Sequence, residues 1–152
     1  MQKKTILAKT VLFCLLATPL PLAVADSPAK KALEAREDLM KGMGDHMKAL
    51  KKALGDGDSQ NLAKHAKDMA ALTHTLATDL KSLFPAGSGE GDTEAKPLIW
   101  KQWNDFDQAA QAAAAKGAAL LEASSRAADV QSAFKALGET CKNCHKDYRA
   151  EK

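Results

Sequence analysis

This sequence predicts an all-α, antiparallel four-helix bundle, and three features predict it. Ala, Leu, Lys and Met dominate beyond residue 25, aromatic and β-branched residues are few, and no strand-like alternation occurs. Apolar residues recur at steps of three, four and seven in four separate stretches, each an amphipathic helix with one stripe to bury. Two short turns and one longer connector separate the stretches, as in a bundle of antiparallel neighbours. No internal repeat and no nucleotide-binding glycine loop interrupts the pattern.

The segment ahead of the first helix reads differently. Lys3, Lys4 and Lys9 make a basic start, "TVLFCLLATPLPL" is apolar, and "AVA" places small residues before Asp26. This is the layout of a secretory signal peptide, with residues 1–25 removed and 26–152 left as the domain. Cys14 would leave with it. Removal takes three lysines and no acid, so the formal charge falls from +3 to zero. A neutral domain offers no electrostatic footprint for nucleic acid. No later run reaches 18 uninterrupted apolar residues, so no stable membrane insertion is expected after cleavage.

The elements follow in order. Ser27 as cap and Pro28 in the first turn open the first helix. Its stripe is Leu33, Met40, Met43, Met47, Leu50 and Leu54, and "GDGD" at 55–58 ends it. Asp58 or Ser59 caps the second helix, whose stripe runs Leu62, Ala66, Met69, Leu72, Leu76, Leu80 and Leu83 and stops before Pro85. "PAGSGEGDTEAKP", 85–97, is the long connector, with "SGEGD" read as solvated. The third helix buries Ile99, Trp103, Phe106, Ala110, Ala113, Gly117 and Leu120, and its small residues let a neighbouring backbone approach. After a turn at "ASSR", the fourth presents Val130, Phe134, Leu137, Cys141, Cys144 and Tyr148.

The fourth stripe contains Cys141-x-x-Cys144-His145, the attachment signature of a c-type haem. On a helix the three side chains project from one side, so two thiols can reach the vinyl groups along one porphyrin edge while His145 turns its imidazole over the iron. Because the cysteines sit on the buried stripe, the haem would replace core side chains within the bundle. One covalent haem c per chain is therefore the expected cofactor, with His145 the proximal iron ligand. Two other readings stand beside it. A CxxC disulfide of the thioredoxin kind needs strands that are missing here. A zinc site needs a fourth ligand, for which His46, His65 and His74 are available.

Signal peptide, four-helix pattern, "LIW" opening the third helix and "GETCKNCHKDYR" closing the fourth together resemble the cytochrome c-prime family of class II bacterial c-type cytochromes. The resemblance implies a haem inside the bundle, bound through the last helix, with a residue of the first helix over its distal side. Some members leave the iron five-coordinate under a non-ligating side chain, often Leu. Others, similar to cytochrome c-556, close it with Met. A basic residue commonly stands four positions before the distal one; in "AREDLMKGMGDHM" Arg36 falls there and Met40 falls on the distal position. Met40 is thus the expected distal iron ligand, with Met43 as runner-up, although a Met stripe also serves as plain core. Gly42 and Gly44, unusual in mid-helix, would give the porphyrin room or admit a close helix contact. Arg36 and Arg149 are candidate haem neighbours, through a propionate or by shielding the proximal side, with solvated helix surface as the other reading of each. Phe106, with Trp100, Trp103 and Phe134, belongs to the core or lines the macrocycle.

Iron held by His145 and Met40 has no vacant position, and soft thioether ligation favours Fe(II). The expected function is a periplasmic monohaem electron carrier serving unidentified periplasmic redox proteins. The alternative is a five-coordinate protein that binds NO or CO. No distal acid–base pair supports an enzyme. The resemblance leaves a homodimer through the first two helices open.

Overall fold

The computed structural model describes residues 27–151, so the expected signal segment, with Cys14, lies outside them. Helix α1 spans Pro28–Asp56. The Ser27 hydroxyl caps it, accepting from the Lys30 N–H at 3.2 Å, and Pro28 sits where a missing N–H loses nothing. Gly57 ends it in the left-handed region, at φ 68°, which glycine adopts without steric penalty. Helix α2, Ser59–Thr78, begins at once, with the Asp58 carboxylate accepting from the Asn61 N–H at 3.0 Å.

The second and third expected helices are each divided. Asp79 leaves the helical conformation, and a single turn, α3, follows at Leu80–Leu83. Thr78 and Asp79 are weak helix formers whose polar groups compete for the backbone. The break turns Leu80 and Leu83 into the core, where both are buried. Likewise α4, Leu98–Lys101, is separated from α5, Trp103–Ala123, by Gln102, which leaves the helical conformation at φ −123° and ψ 49°. Helix α6 closes the bundle at Ala127–Tyr148.

Four long helices thus make the bundle. α1 packs on α2, α2 on α5, and α5 on α6, whereas α1 and α6 scarcely meet. Leu50, Met69, Leu80, Ile99, Leu120 and Leu137 are fully buried at the centre. The tightest helix contact lies between α2 and α5. A Cβ on Gly117 would stand 2.1 Å from Thr73 Oγ1 and 3.3 Å from the Ala70 Cα. Thr73 is itself wholly buried and donates back to the Met69 carbonyl at 3.0 Å.

The α1 stripe is rotated from its expected position. Ala32, Arg36, Leu39, Met43, Leu50 and Ala53 are buried, while Leu33, Met40, Met47 and Leu54 are only half-buried along one edge. Arg36 is therefore no solvated helix arginine; it is 4% exposed. Its Nη1 donates to Ser88 Oγ at 3.0 Å, and its Nη2 donates to the Ser88 carbonyl at 2.7 Å and to Thr93 Oγ1 at 2.6 Å. The guanidinium also lies 5.1 Å from the Phe84 ring centroid.

These bonds correct the reading of "SGEGD", 88–92, as solvated at its first two residues, while Glu90, Gly91 and Asp92 are exposed as expected. Ser88 is buried, and Gly89 lies so close under Trp100 that a Cβ there would stand 2.3 Å from the ring. The Trp100 indole N–H donates to the Phe84 and Pro85 carbonyls at 3.1 and 3.2 Å. The far end of the connector pairs with the chain leaving α6. The Lys96 N–H donates to the Tyr148 carbonyl at 2.9 Å, and the Ala150 N–H donates to the Glu94 carbonyl at 2.7 Å.

Two outcomes follow. Gly117→Ala should destabilise the fold by about 1–3 kcal/mol through overpacking, and adding Thr73→Ala should recover part of that loss in urea unfolding. Simple additivity of the two losses would show that the helices meet elsewhere. Arg36→Met should lower stability by about 2–3 kcal/mol as charge-assisted bonds are lost, and amide exchange across residues 86–95 should accelerate at least about tenfold as the segment opens locally. Unchanged exchange there would show that the connector is held by other contacts.

Candidate haem-binding site

Where α1 and α6 fail to meet, a cavity of about 550 Å³ opens along the bundle. Leu33, Arg36, Glu37, Met40, Lys41 and Gly44 form its α1 wall, a single face at helical spacing. Cys144, His145 and Tyr148 form the α6 wall, again at steps of one helical turn or less. Phe84, Ile99 and Phe106 close the apolar end, and Thr93, Glu94, Ala95 and Arg149 complete the rim.

The aromatic end is rigid. The Phe106 ring meets Phe84 at 4.9 Å and Tyr148 at 5.0 Å between centroids, both edge-on, and Trp103 at 5.9 Å behind it. Phe106 thus lines the cavity as expected of a core aromatic. Trp100 and Trp103 support it from outside, and Phe134 packs half-buried against the core. Gly44 borders the cavity, and a Cβ there would touch nothing within 4 Å, so its place is open on this side. At Gly42, by contrast, a Cβ would meet Leu72 Cδ1 of α2 at 3.5 Å, an ordinary contact.

The reactive side chains lie in surroundings that disfavour charge. Burial pushes the Cys141 thiol up, and burial, with the nearby Cys141 and Asp147 charges, pushes Cys144 up to about 11. A thioether carries no charge, so this desolvation opposes the free thiolates and not the alkylated sulfurs. Around His145, burial and then the Arg149 charge hold the imidazole below its usual range, with Glu94 opposing. His145 is nevertheless open to the cavity, so its neutral ring is available to a ligand there. Arg149 Nε bonds Glu94 Oε2 at 2.5 Å beside it.

The sequence-expected residues are therefore gathered unevenly. Met40, Cys144, His145, Arg36, Phe106 and Arg149 border one cavity, while Cys141, one turn before Cys144, is partly buried against the core. Met43 is buried in the core and does not border the cavity. Arg36 does border it, but its Nη atoms serve Ser88 and Thr93. His46, His65 and His74 are absent from the lining, and among the described residues no close ligand cluster joins them to the cysteines. Phe84, Thr93, Glu94 and Ile99 border the site without having been marked in the sequence; only the presence of an arginine on a buried stripe hints that a polar segment must fold back over it.

The donor set fits a covalent haem: two desolvated thiols at helical spacing, a neutral imidazole beside them, and apolar walls. The comparisons agree. The family model described as Cytochrome C' matches residues 31–149. Cytochrome c' of Pararhodospirillum photometricum is 37% identical over 123 residues, covering 77% of this chain and 94% of that protein. Cytochrome c-556 of Agrobacterium fabrum is 35% identical over 156 aligned positions, covering 100% of this chain and 99% of that protein. The crystal structure of cytochrome c' from Thermochromatium tepidum matches with a TM-score of 0.74 at 28% identity, covering 84% of this chain and 100% of that one. This chain belongs to the cytochrome c' family of monohaem c-type cytochromes, and its cofactor is one covalently attached haem c.

Proposed function

We propose that this protein is a periplasmic electron carrier whose iron is held by His145 and Met40. When bound, haem c supplies a one-electron Fe(III)/Fe(II) couple. Cys141 and Cys144 would hold the porphyrin edge as thioethers, and His145 would offer its neutral ring to the iron from the α6 wall. Met40 would offer its thioether from the α1 wall. The observation that carries the reading is that Met40 and His145 border the same cavity from two helices that otherwise barely touch.

Each residue has a separable task. Soft sulfur donation from Met40 would favour the reduced state and would leave no open position for a gas. Met40 and His145 stand on long helices, so both side chains would be held with little movement on a change of charge. Phe84, Phe106 and Tyr148 exclude water from the inner end, while Glu37, Lys41 and Arg149 leave a polar rim where a redox partner can approach. Export rests on residues 1–25, and no described helix is long and apolar enough to cross a membrane. The relatives named cytochrome c-556 and cytochrome c' are similar to this chain to nearly the same degree, at 35% and 37% identity, so the reading rests on the cavity.

Absorption spectra test this directly. The ferrous protein should be low-spin and resist CO, and Met40→Leu should convert it to a high-spin form that binds CO at once. A wild-type protein already high-spin, with an unaltered spectrum in Met40→Leu, would move the assignment to a five-coordinate binder of NO or CO.

A further inference from the structure

A second group of ligand-type side chains lies outside the haem cavity, where α1 faces α2. His46 Nδ1 and His65 Nδ1 stand 2.9 Å apart, with ring centroids at 5.1 Å. Asp68, almost one turn beyond His65 on α2, places Oδ2 3.8 Å from His46 Nδ1. The ligand atoms of all three residues fall within 4.8 Å of one another, and all three side chains are half-buried. It is the one such cluster among the described residues.

A proton can hold this contact in one way only. Two neutral rings can share the 2.9 Å contact only if one presents Nδ1–H and the other its lone pair; two protonated rings would set N–H against N–H. A cation placed between the rings satisfies both lone pairs, each ring keeping its proton on Nε2. Ligands bound tetrahedrally at about 2.0–2.1 Å lie about 3.3 Å from each other, between the two distances seen here. Two imidazoles and a carboxylate are the donor chemistry of zinc and its neighbours, and a hard cation such as calcium would ask for oxygen alone. The hydrogen bond from Lys64 is the chief cause that holds the Asp68 carboxyl below the usual carboxylate range; the exposed Lys64 ammonium lies 3.0 Å from Oδ2 and would have to swing aside.

We propose that His46, His65 and Asp68 form a site for one divalent transition-metal ion of the zinc class, with water as the remaining ligand, that ties α1 to α2. The tie would fall on the helix that carries Met40, six residues ahead of His46, yet none of its ligands borders the cavity between α1 and α6.

Calorimetric titration of the haem-loaded chain with zinc chloride in a non-chelating buffer tests the site. One ion per chain should bind, and His65→Gln or Asp68→Asn should weaken it by about tenfold or more. Lys64→Ala, at an exposed position that folding does not need, should tighten it about two- to fivefold by removing the competitor for Asp68. His74→Gln should change nothing, and the haem spectrum should be indifferent to zinc in every variant. Absence of saturable binding, one ion per two chains, or an affinity unmoved in the His46→Gln/His65→Gln double variant would each overturn the site. Spin state and CO uptake are read separately, so failure here leaves the Met40 assignment standing, and the reverse holds too.

Discussion

A cationic side chain out of water needs several acceptors, and Arg36 is the point where this requirement shapes the molecule. Desolvation lowers the affinity of its guanidinium for the proton, and the neighbouring Glu37 charge only partly opposes that. The fold answers with Ser88 and Thr93, which lie on the one long connector and nowhere near residue 36 in sequence. To deliver them, residues 85–97 must turn back across the end of the bundle. Trp100 then presses on Gly89 from the other side, and Glu94 and Lys96 engage the chain leaving α6. The connector thereby spans from α1 to α6, the two helices that do not pack on each other. It holds the cavity's end without filling it.

The electrostatics of that cavity lean one way. Cys144, His145 and Arg36 on its walls, and Cys141 one turn before Cys144, are each moved toward the uncharged form, with burial the leading cause every time. Thioethers and a neutral imidazole are the forms in which these groups hold a haem, so the apolar setting favours the ligated state of each residue. Arg36, buried there, must stay charged, and Ser88 and Thr93 supply its acceptors. The same distinction explains why Arg149, exposed and paired with Glu94, contributes to His145 through its field and not through desolvation.

How much of this was legible depended on whether the physics was local. Caps, turns and the long amphipathic stripes are local, and Ser27, Asp58 and Gly57 do what their chemistry predicts. The Cys141–His145 spacing is local too, which is why the cofactor could be read before any coordinates. The breaks at Asp79 and Gln102 escaped because the apolar period continues through them, and only packing decides that the chain must turn. Arg36 sits at a stripe position, yet charge argued for the surface; its acceptors lie more than fifty residues away in a stretch of glycine and acid that looked solvated. No pairwise signal connects them.

The methionines of α1 show why the stripe alone was insufficient and what the third dimension adds. At about 100° per residue, three steps rotate a side chain through about 300°, so Met43 lies some 60° around the helix from Met40. In a fully packed bundle that difference would be minor, since both would meet a neighbouring helix. Here α1 has a packed side toward α2 and an open side toward α6. Met43 falls on the first and is buried among core residues; Met40 falls on the second with Leu33 and Gly44. Any ligand offered by α1 to the α6 side must come from the row that contains residues 33, 36, 37, 40, 41 and 44. Within that row only Met40 carries a soft donor atom, so the proposed sulfur ligation has a single candidate on this face of α1.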